Sequence, residues 1–262
     1  LMKPMIFFDV DGTLRDNVNH QVCLSTQKTL QLLKKKGYHM IISSGRGLDS
    51  LTKTGLMDMF EWDGFVCNNG QRVLDANKHE IFHALMDPQA VLDVLDIAEK
   101  YHYAVTLKST QRVITKEPDA YVLQTQQYFQ NQIPPVGTYC GQEVDAMIVY
   151  GPLGYDYAPF QKVSGVHVLP GESTYADVTI AGLSKATGIQ KLMHLLGLQE
   201  YIAFGDSLND VDMFQHASQS VAMGQSNEQL KSIATFITKP IDEDGIYYAC
   251  LQLGLIEEGE YE

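Results

Sequence analysis

Two aspartates only two residues apart, Asp9 and Asp11, are the residues best placed for chemistry in this chain of 262 residues. They directly follow the apolar run 5–8. Such a run predicts a buried strand that ends at the carboxyl edge of an α/β sheet, where these folds bind ligands. One carboxylate can then bind Mg²⁺ and attack phosphorus while the other transfers the proton. The pattern therefore predicts phosphate chemistry.

The residues after the two aspartates form a turn suited to an anion. Gly12 permits a sharp turn with free backbone N–H groups, and Thr13 adds a hydroxyl donor. A calcium-binding EF-hand loop that began at Asp9 would need glycine at its sixth position and glutamate at its twelfth. Those positions hold Leu14 and His20, so this kind of calcium site is excluded.

Polar residues of the same kind follow two more strand-like runs, 40–42 and 202–204, and a lysine begins a later helical pattern. They are Ser44, Gly45, Arg46, Lys185, Asp206, Asn209 and Asp210. Taken alone, each is more often a solvated loop residue than a functional one. Together with Asp9, the four segments offer a nucleophile, a hydroxyl, an ammonium group and metal ligands.

In this chain order the four segments resemble the motifs of the haloacid dehalogenase superfamily, and closely those of its Cof-like subfamily of capped sugar-phosphate phosphatases. The similarity covers about residues 5–75 and 175–250 and includes family-like signatures elsewhere in the chain. These are Asn69-Gly70, Val221-Ala222-Met223-Gly224, Asn227-Glu228 and Glu243-Asp244-Gly245-Ile246. Ala186 departs from the pattern, because the family more often has glycine after the lysine.

The resemblance implies a role for each motif residue in a two-step hydrolysis through an aspartyl-phosphate. Asp9 is the expected nucleophile, Asp11 the general acid/base and Lys185 the charge clamp. The expected phosphate-binding residues are Gly12, Thr13, Ser44, Gly45, Arg46, Asn69 and Asn209. The expected Mg²⁺ ligands are Asp9, Asp11, Asp206, Asn209 and Asp210. For Arg46, a role as a ligand of the substrate phosphate and a role as an ordinary loop cation explain the sequence about equally well.

The composition restricts the possible functions. Hydrophobic residues make up 45% of the chain, which allows a large core and excludes a disordered protein. The net charge of −13 argues against non-specific nucleic-acid binding, which depends on Lys and Arg neutralising phosphates. A small phosphorylated metabolite must instead be attracted by local groups such as Mg²⁺ and Lys185.

The cysteines and the apolar runs predict a location. Cys23, Cys67, Cys140 and Cys250 show no Cys-x-x-Cys spacing, which favours free thiols in a reducing compartment. The N-terminal apolar run 5–8 is too short for a signal peptide or a membrane span. We therefore expect a cytoplasmic protein with no membrane or nucleic-acid partner. The sequence gives no indication of the oligomeric state.

Alternating strand and helix patterns predict an α/β fold, with a Rossmann-like parallel-sheet hydrolase core formed by residues 1–81 and 182–262. Between them, residues 82–181 predict an inserted α+β cap domain that selects the substrate. Nine of the 14 tyrosines lie in this stretch, where they suit either sugar rings or ordinary half-buried strands. Lys108, Arg112 and Lys116 are its available cations.

Other functions can be weighed from the residues. His79, Glu80 and His83 match the His-Glu-x-x-His zinc-protease motif, but the segment follows a turn and predicts a hairpin strand, whose two histidines would lie about 13 Å apart. A phosphotransferase or phosphomutase that acts on sugar phosphates would use the same Asp9 with a sugar as acceptor. A non-enzymatic binding protein would have little use for both Asp9 and Asp11.

Overall fold

The computed structural model describes residues 3–260 of the chain. Its strands, in chain order, are β1 (Met5–Phe8), β2 (His39–Ser43), β3 (Gly64–Cys67), β4 (Arg72–Asp75), β5 (Glu80–His83), β6 (Val105–Lys108), β7 (Val113–Ile114), β8 (Ala146–Tyr150), β9 (Val166–Pro170), β10 (Tyr175–Ile180), β11 (Tyr201–Gly205), β12 (Gln219–Ala222) and β13 (Phe236–Ile237). Its α-helices are α1 (Leu24–Lys35), α2 (Leu48–Lys53), α3 (Pro88–Lys100), α4 (Ala120–Phe129), α5 (Ala158–Gln161), α6 (Lys185–Leu196), α7 (Val211–Gln215), α8 (Glu228–Ile233) and α9 (Gly245–Gln252).

The larger sheet has eight strands in the order β13-β12-β11-β1-β2-β3-β4-β5. The strands from β13 to β3 run parallel, while β4 and β5 form an antiparallel extension at one edge. The chain leaves β1 towards β2 and later returns on its other side through β11, so the strand order reverses at β1. Ligands bind outside the carboxyl ends of the strands at such a reversal. The predicted α/β fold with a mainly parallel sheet is confirmed.

All four residues of β1 are buried because helices cover both faces of the sheet. Ile6 and Phe8 pack on one face in a cluster that includes residues of α1 and α9. Met5 and Phe7 pack on the other face with residues of α6 and α7. A strand that is covered on both sides reads as an unbroken apolar run, which explains the pattern at residues 5–8.

A second, five-stranded sheet, ordered β7-β6-β8-β10-β9, is antiparallel throughout. Together with α3, α4 and α5 it forms what we call the insert, residues 84–180, with a hydrophobic cluster of its own around Val94, Met147 and Phe160. His83, the last residue of β5, still pairs with Arg72 in the larger sheet. The insert therefore begins after His83, whereas the sequence predicts a cap domain that begins at residue 82.

One buried glutamine joins both connections between the larger sheet and the insert. The Gln71 side-chain amide donates to the carbonyl of Asp145, and its oxygen accepts the N–H of Ile180 at 2.9 Å. The Gln71 carbonyl also accepts the N–H of Ala84 at 2.8 Å. The two ends of the insert are thus attached at the same residue, one at its backbone and the other at its side chain.

Several further expectations can be compared with the structure. Glu80 and His83 lie on strand β5 and not on a helix, which excludes the zinc-protease motif. All four cysteines are free. Within residues 3–260, every helix is too short or too polar to cross a membrane.

Candidate active site

The register of the central strands brings the predicted motifs together. Phe8, the last residue of β1, lies beside Phe204 of β11 and Ile42 of β2. The N–H of Asp9 donates to the Phe204 carbonyl at 3.0 Å. Because these parallel strands end at nearly the same level, the residues that follow them, Asp9, Asp206 and Ser44, meet at one edge of the sheet.

The turn after Asp9 is packed directly against the Asp206 carboxylate. Gly12 has a φ of +87°, in the left-handed region that glycine accepts most readily. A Cβ atom at this position would overlap the Asp206 side chain. The hydroxyl of Thr13 donates to Asp206 Oδ1 at 2.9 Å. Gly12 and Thr13 therefore position the second acidic loop.

Lys185 connects the two acidic loops from below. It is the first residue of α6, which begins with a capping box between Ser184 and Thr187. The buried ammonium group donates to Asp9 Oδ1 and Asp210 Oδ1, both at 2.6 Å. The other carboxylate oxygen of Asp210 accepts the backbone N–H groups of Asp206 and Ser207. Asp210 thus holds both the lysine and the loop.

A divalent cation fits the acidic cluster formed by Asp9, Asp206 and Asp210, whose carboxylate oxygens lie within 4.8 Å of one another. Three carboxylates against the single Lys185 carry a formal charge of −2, and hard oxygen donors suit Mg²⁺. Burial and the Asp210 carboxylate raise the pKa of Asp9 to about 7 despite the opposing effect of Lys185. Burial and Asp9 likewise raise the pKa of Asp206 well above its ordinary value. A bound cation would relieve this repulsion.

Asp11 has a different environment from Asp9, because two arginines bind it. Arg46 donates from Nε to Asp11 Oδ2 at 2.6 Å and from Nη2 to Oδ1 at 2.8 Å, and Arg15 lies 3.2 Å from Oδ1. Burial alone would raise the pKa of Asp11, but the Arg46 and Arg15 guanidinium groups outweigh it and hold that pKa below its usual range. The two aspartates of the motif are therefore tuned in opposite directions.

Arg46 is committed to contacts within the protein. Its Nη1 donates to Ser50 at 2.8 Å and to Asn131 Oδ1 at 2.9 Å, and its Nη2 also reaches the Phe129 carbonyl at 3.2 Å. With Nε bound to Asp11, each of its three nitrogens has a protein partner. In this arrangement Arg46 orients Asp11 and contacts the insert, which favours this role over binding of the substrate phosphate.

The remaining predicted residues surround the same place. Ser44 Oγ accepts the N–H of Arg46 at 3.0 Å, which leaves its own hydrogen available to a substrate oxygen. Asn209 Nδ2 donates to Asn69 Oδ1 at 3.1 Å, and Asn69 in turn lies 3.4 Å from Asp177 of the insert. Hydrogen bonds between side chains thus connect the loop that carries Asn209 to β10.

The insert closes over this edge and leaves a cavity that Asp9, Asp11 and Asp206 line from below. From above it is lined by residues that include Lys108, Arg112, Tyr128, Phe129, Glu172 and Tyr175. Lys116, also expected as a contact, instead donates to the His102 carbonyl outside the cavity. Most of the other tyrosines of the insert pack against one another, as Tyr103 does with Tyr101, Tyr121 and Tyr155.

Some residues of the site could not be recognised in the sequence. Arg15 lies four residues after Asp11, a spacing that is informative only once the turn between them is known. Phe129 is the last residue of α4, and Asn131 follows it after Gln130, which adopts a left-handed conformation with a φ of +49°. No local sequence pattern indicates that α4 ends above the edge of the sheet where Asp9 and Asp206 meet.

A parallel sheet that gathers a lysine-bound aspartate, an acidic cluster with donors suited to a metal ion and a covered cavity is the arrangement expected of a phosphoryl-transfer hydrolase. Comparison with known proteins agrees. The family model described as haloacid dehalogenase-like hydrolase matches residues 6–250, and the chain belongs to this family. It is an enzyme, a phosphatase of that family, whose members typically use a metal ion.

Three known proteins match this chain over at least 92% of their own length. YkrA of Bacillus subtilis (strain 168), provisionally named a phosphatase, is 32% identical over 262 residues, which cover 97% of this chain and 99% of that protein. The 5-amino-6-(5-phospho-D-ribitylamino)uracil phosphatase YcsE of the same organism is 24% identical over 92% of each chain. The solved structure of BT4131, described as a HAD subclass IIB sugar phosphatase, superposes with a TM-score of 0.88 at 26% identity, covering 97% of this chain and all of that one.

Proposed function

We propose that this protein is a Mg²⁺-dependent phosphatase that hydrolyses small phosphorylated metabolites, sugar phosphates in particular, through an aspartyl-phosphate. The observation that carries the proposal is the position of Asp9. Lys185 binds one oxygen of its carboxylate at 2.6 Å, Asp206 lies beside it, and the residue lines the covered cavity. A carboxylate oriented in this way can attack a phosphorus atom in line.

In the first step, an oxygen of Asp9 forms a bond to phosphorus while the bond from phosphorus to the leaving oxygen breaks. Asp11 gives its proton to that oxygen, so the product leaves as an alcohol. Arg46 keeps Asp11 ionised before the substrate binds. The negative charge of a bound phosphate next to Asp11 raises its pKa, so that its carboxylate takes up a proton from water, and this is the proton that it gives to the leaving oxygen.

In the second step, water attacks the phosphorus of the aspartyl-phosphate and the bond to Asp9 breaks. Asp11, now a carboxylate again, accepts the proton of that water. Lys185 and the Ser44 hydroxyl stabilise the charge that builds up on the phosphoryl oxygens. Asp9, the Asp11 carbonyl and Asp206 would hold Mg²⁺, which would neutralise the same oxygens when bound. Asn209 and Asp210 would support that site from its loop.

The choice of sugar phosphates rests on the covered cavity. Its lining combines charged groups such as Asp9 and Lys108 with aromatic side chains such as Tyr128 and Phe129, the mixture of apolar walls and a few placed polar groups that is typical of sites for small molecules. We propose that the insert acts as a cap domain that selects the leaving group, because the core motifs contact only the phosphoryl group and cannot distinguish one metabolite from another. BT4131 is described as a sugar phosphatase and YcsE is named for a phosphorylated ribityl compound. Both descriptions are compatible with this class of substrate.

The proposal can be tested by trapping the intermediate. Protein mixed briefly with excess acetyl phosphate and Mg²⁺ and then quenched in acid should carry one phosphoryl group on the peptide that contains Asp9, as measured by mass spectrometry. EDTA should remove both the label and the steady-state hydrolysis of a sugar-phosphate panel, and Mg²⁺ should restore both. Full turnover of the panel by metal-free protein, or label on another residue, would show that the proposed mechanism is wrong.

A further inference from the structure

Arg112 is a buried cation on the insert side of the cavity. It follows β6, only 9% of its surface is exposed, and it lines the same cavity as Asp9 and Asp206. Its Nε lies 3.2 Å from Asp49 Oδ2 on α2, across the boundary between insert and core. Arg112 therefore lies at the end of the cavity formed by α2 and the insert.

The charge of Arg112 is only partly balanced by the protein. Asp49 also binds Lys53 at 3.0 Å, so one carboxylate serves two cations. Over residues 3–260, the terminal nitrogens Nη1 and Nη2 of Arg112 make no hydrogen bond to the protein, and they are not sealed away from the cavity. The contrast with Arg46 is direct, because every nitrogen of Arg46 has a protein partner.

The charges of the site are separated in space. The end of the cavity around Lys185 carries three carboxylates and one ammonium group. Its net charge is negative, which favours the binding of a cation. Around Asp11 there are two arginines to one carboxylate, and around Asp49 there are two cations to one carboxylate. A substrate that reaches from the first end to the second thus meets positive charge at its far end.

From this we propose a second anion subsite at Arg112, which makes the preferred substrate a phosphorylated compound whose leaving group carries another anionic group. The inference rests on the proposed phosphatase function and specifies its substrate class. A guanidinium presents paired N–H donors that match a carboxylate or a phosphate in two parallel hydrogen bonds. Donors that face the cavity without a protein partner are available to an anionic ligand, which can take the place of water there.

A structural role for Arg112 makes a different prediction. If its contact with Asp49 only holds the insert against the core, then loss of Arg112 should weaken the turnover of all substrates by the same factor. If Arg112 binds the substrate, its loss should affect only substrates with a second anion. The ratio of kcat/KM within a matched substrate pair separates the two roles.

The experiment compares two pairs, 6-phosphogluconate with glucose 6-phosphate and fructose 1,6-bisphosphate with fructose 6-phosphate, with p-nitrophenyl phosphate as reference. Wild-type protein should prefer the member with the second anionic group in at least one pair by about tenfold or more in kcat/KM, since a charge-assisted hydrogen bond contributes at this level. The first pair reports a carboxylate and the second a phosphate. Arg112→Gln should reduce the preference to near one, mainly through KM.

The control is Lys116→Gln, which removes a cation of the insert that lies outside the cavity and should keep the wild-type ratios. Arg112→Lys retains the charge without the paired donors and should give an intermediate ratio, which covers the case in which Arg112→Gln does not fold. Equal losses for both members of each pair, or wild-type ratios near one, would overturn the subsite. Absence of hydrolysis even of p-nitrophenyl phosphate would instead overturn the proposed function.

Discussion

Asp9 and Asp11 have the same side chain and lie two residues apart, yet the structure gives them opposite charge environments. Asp9 shares its surroundings with Asp206 and Asp210, and its pKa rises to about 7. Asp11 is enclosed by Arg46 and Arg15, and its pKa falls. In the metal-free protein both shifts oppose the proposed roles, because a nucleophilic carboxylate must be ionised and a general acid must carry a proton. A cation bound beside Asp9 and a phosphate bound beside Asp11 would reverse them.

Substitution of the nucleophile should remove activity without removing the fold. Asp9→Asn keeps the size of the side chain but cannot form the acyl phosphate, so we expect kcat for p-nitrophenyl phosphate to fall by about a thousandfold or more. Circular dichroism should show an unchanged fold. Asp96→Asn, an exposed change on α3 of the insert, is the matched control and should behave like wild type. Near-normal activity of folded Asp9→Asn protein would refute the assignment.

The acid role of Asp11 should depend on the leaving group. Alkyl phosphates need a proton on the departing oxygen, whereas p-nitrophenolate leaves without one. Asp11→Asn should therefore slow alkyl phosphates by about a hundredfold or more and p-nitrophenyl phosphate distinctly less. The measurement is kcat/KM for both classes in parallel. An equal loss for the two classes would argue against Asp11 as the acid.

The raised pKa of Asp9 predicts how the metal-free protein responds to pH. The folded state holds a proton that the unfolded chain has released above its ordinary pKa of 3.8, so the free energy of unfolding should fall as pH rises from about 4 to 7 and then level off. The loss should be about 1.4 kcal/mol per pH unit in that window. Urea unfolding without metal at pH 5.5 and 7.5 measures it.

The same experiment has two controls. Asp9→Asn should show a smaller pH effect, because its side chain cannot titrate. Saturating Mg²⁺ should stabilise the wild-type protein more at pH 7.5 than at pH 5.5, because fewer protons compete for the carboxylates. A metal-free unfolding profile that is flat across this range would contradict the assigned environment of Asp9.

At the scale of elements, the turn after β1 is as important as the strand itself. Gly12 and Gly37 both have a positive φ, +87° and +84°, but only a Cβ at Gly12 would meet another residue, Asp206. Gly12→Ala should therefore displace the loop that carries Asp206 and weaken Mg²⁺ activation of hydrolysis. It should also introduce a backbone strain of about 1–2 kcal/mol. Gly37→Ala should show the strain alone, with unchanged Mg²⁺ dependence. Identical effects of the two changes on Mg²⁺ activation would contradict the packing role of Gly12.

The elements that hold the motifs could be predicted because they have local signals. The runs before Asp9, Ser44 and Asp206 are continuous apolar segments, and their parallel pairing brings the three ends to one edge. The pairing of Asp11 with Arg46 could not be predicted, since it joins side chains 35 positions apart whose meeting depends on the turn geometry of both loops. In the sequence Arg112 is recognisable only as a cation of the expected cap. Its burial and the lack of protein partners for its terminal nitrogens within residues 3–260 cannot be inferred from composition.

At the scale of the whole molecule, contacts between the insert and the core keep the cavity covered. Asn131 accepts hydrogen bonds from Arg46 at 2.9 Å and from Ser50 at 3.3 Å, and Lys108 of the insert donates to the Gly45 carbonyl at 3.1 Å. These contacts are polar. Interfaces of this kind within one chain allow relative motion.

Loss of one such contact should weaken substrate retention. Asn131→Ala removes the acceptor shared by Arg46 and Ser50, so we expect KM for sugar phosphates to rise by about fivefold to tenfold, as for the loss of one or two hydrogen bonds. The neighbouring exposed change Gln132→Ala should leave KM as in the wild type. Steady-state kinetics on both variants provides the measurement. An unchanged KM in Asn131→Ala would show that this contact does not hold the insert closed.

Both connections of the insert are attached at Gln71, whereas Asn131 and Phe129 contact the core at Arg46. A domain attached at one side can rotate about that side, and its displacement grows with distance from the axis. Contacts at Gln71 would thus survive an opening that breaks those at Asn131 and Phe129. Arg46 and Arg15 both donate to the Phe129 carbonyl and both bind Asp11. Each opening would therefore take a hydrogen-bond partner from both arginines that hold the proton-transfer group.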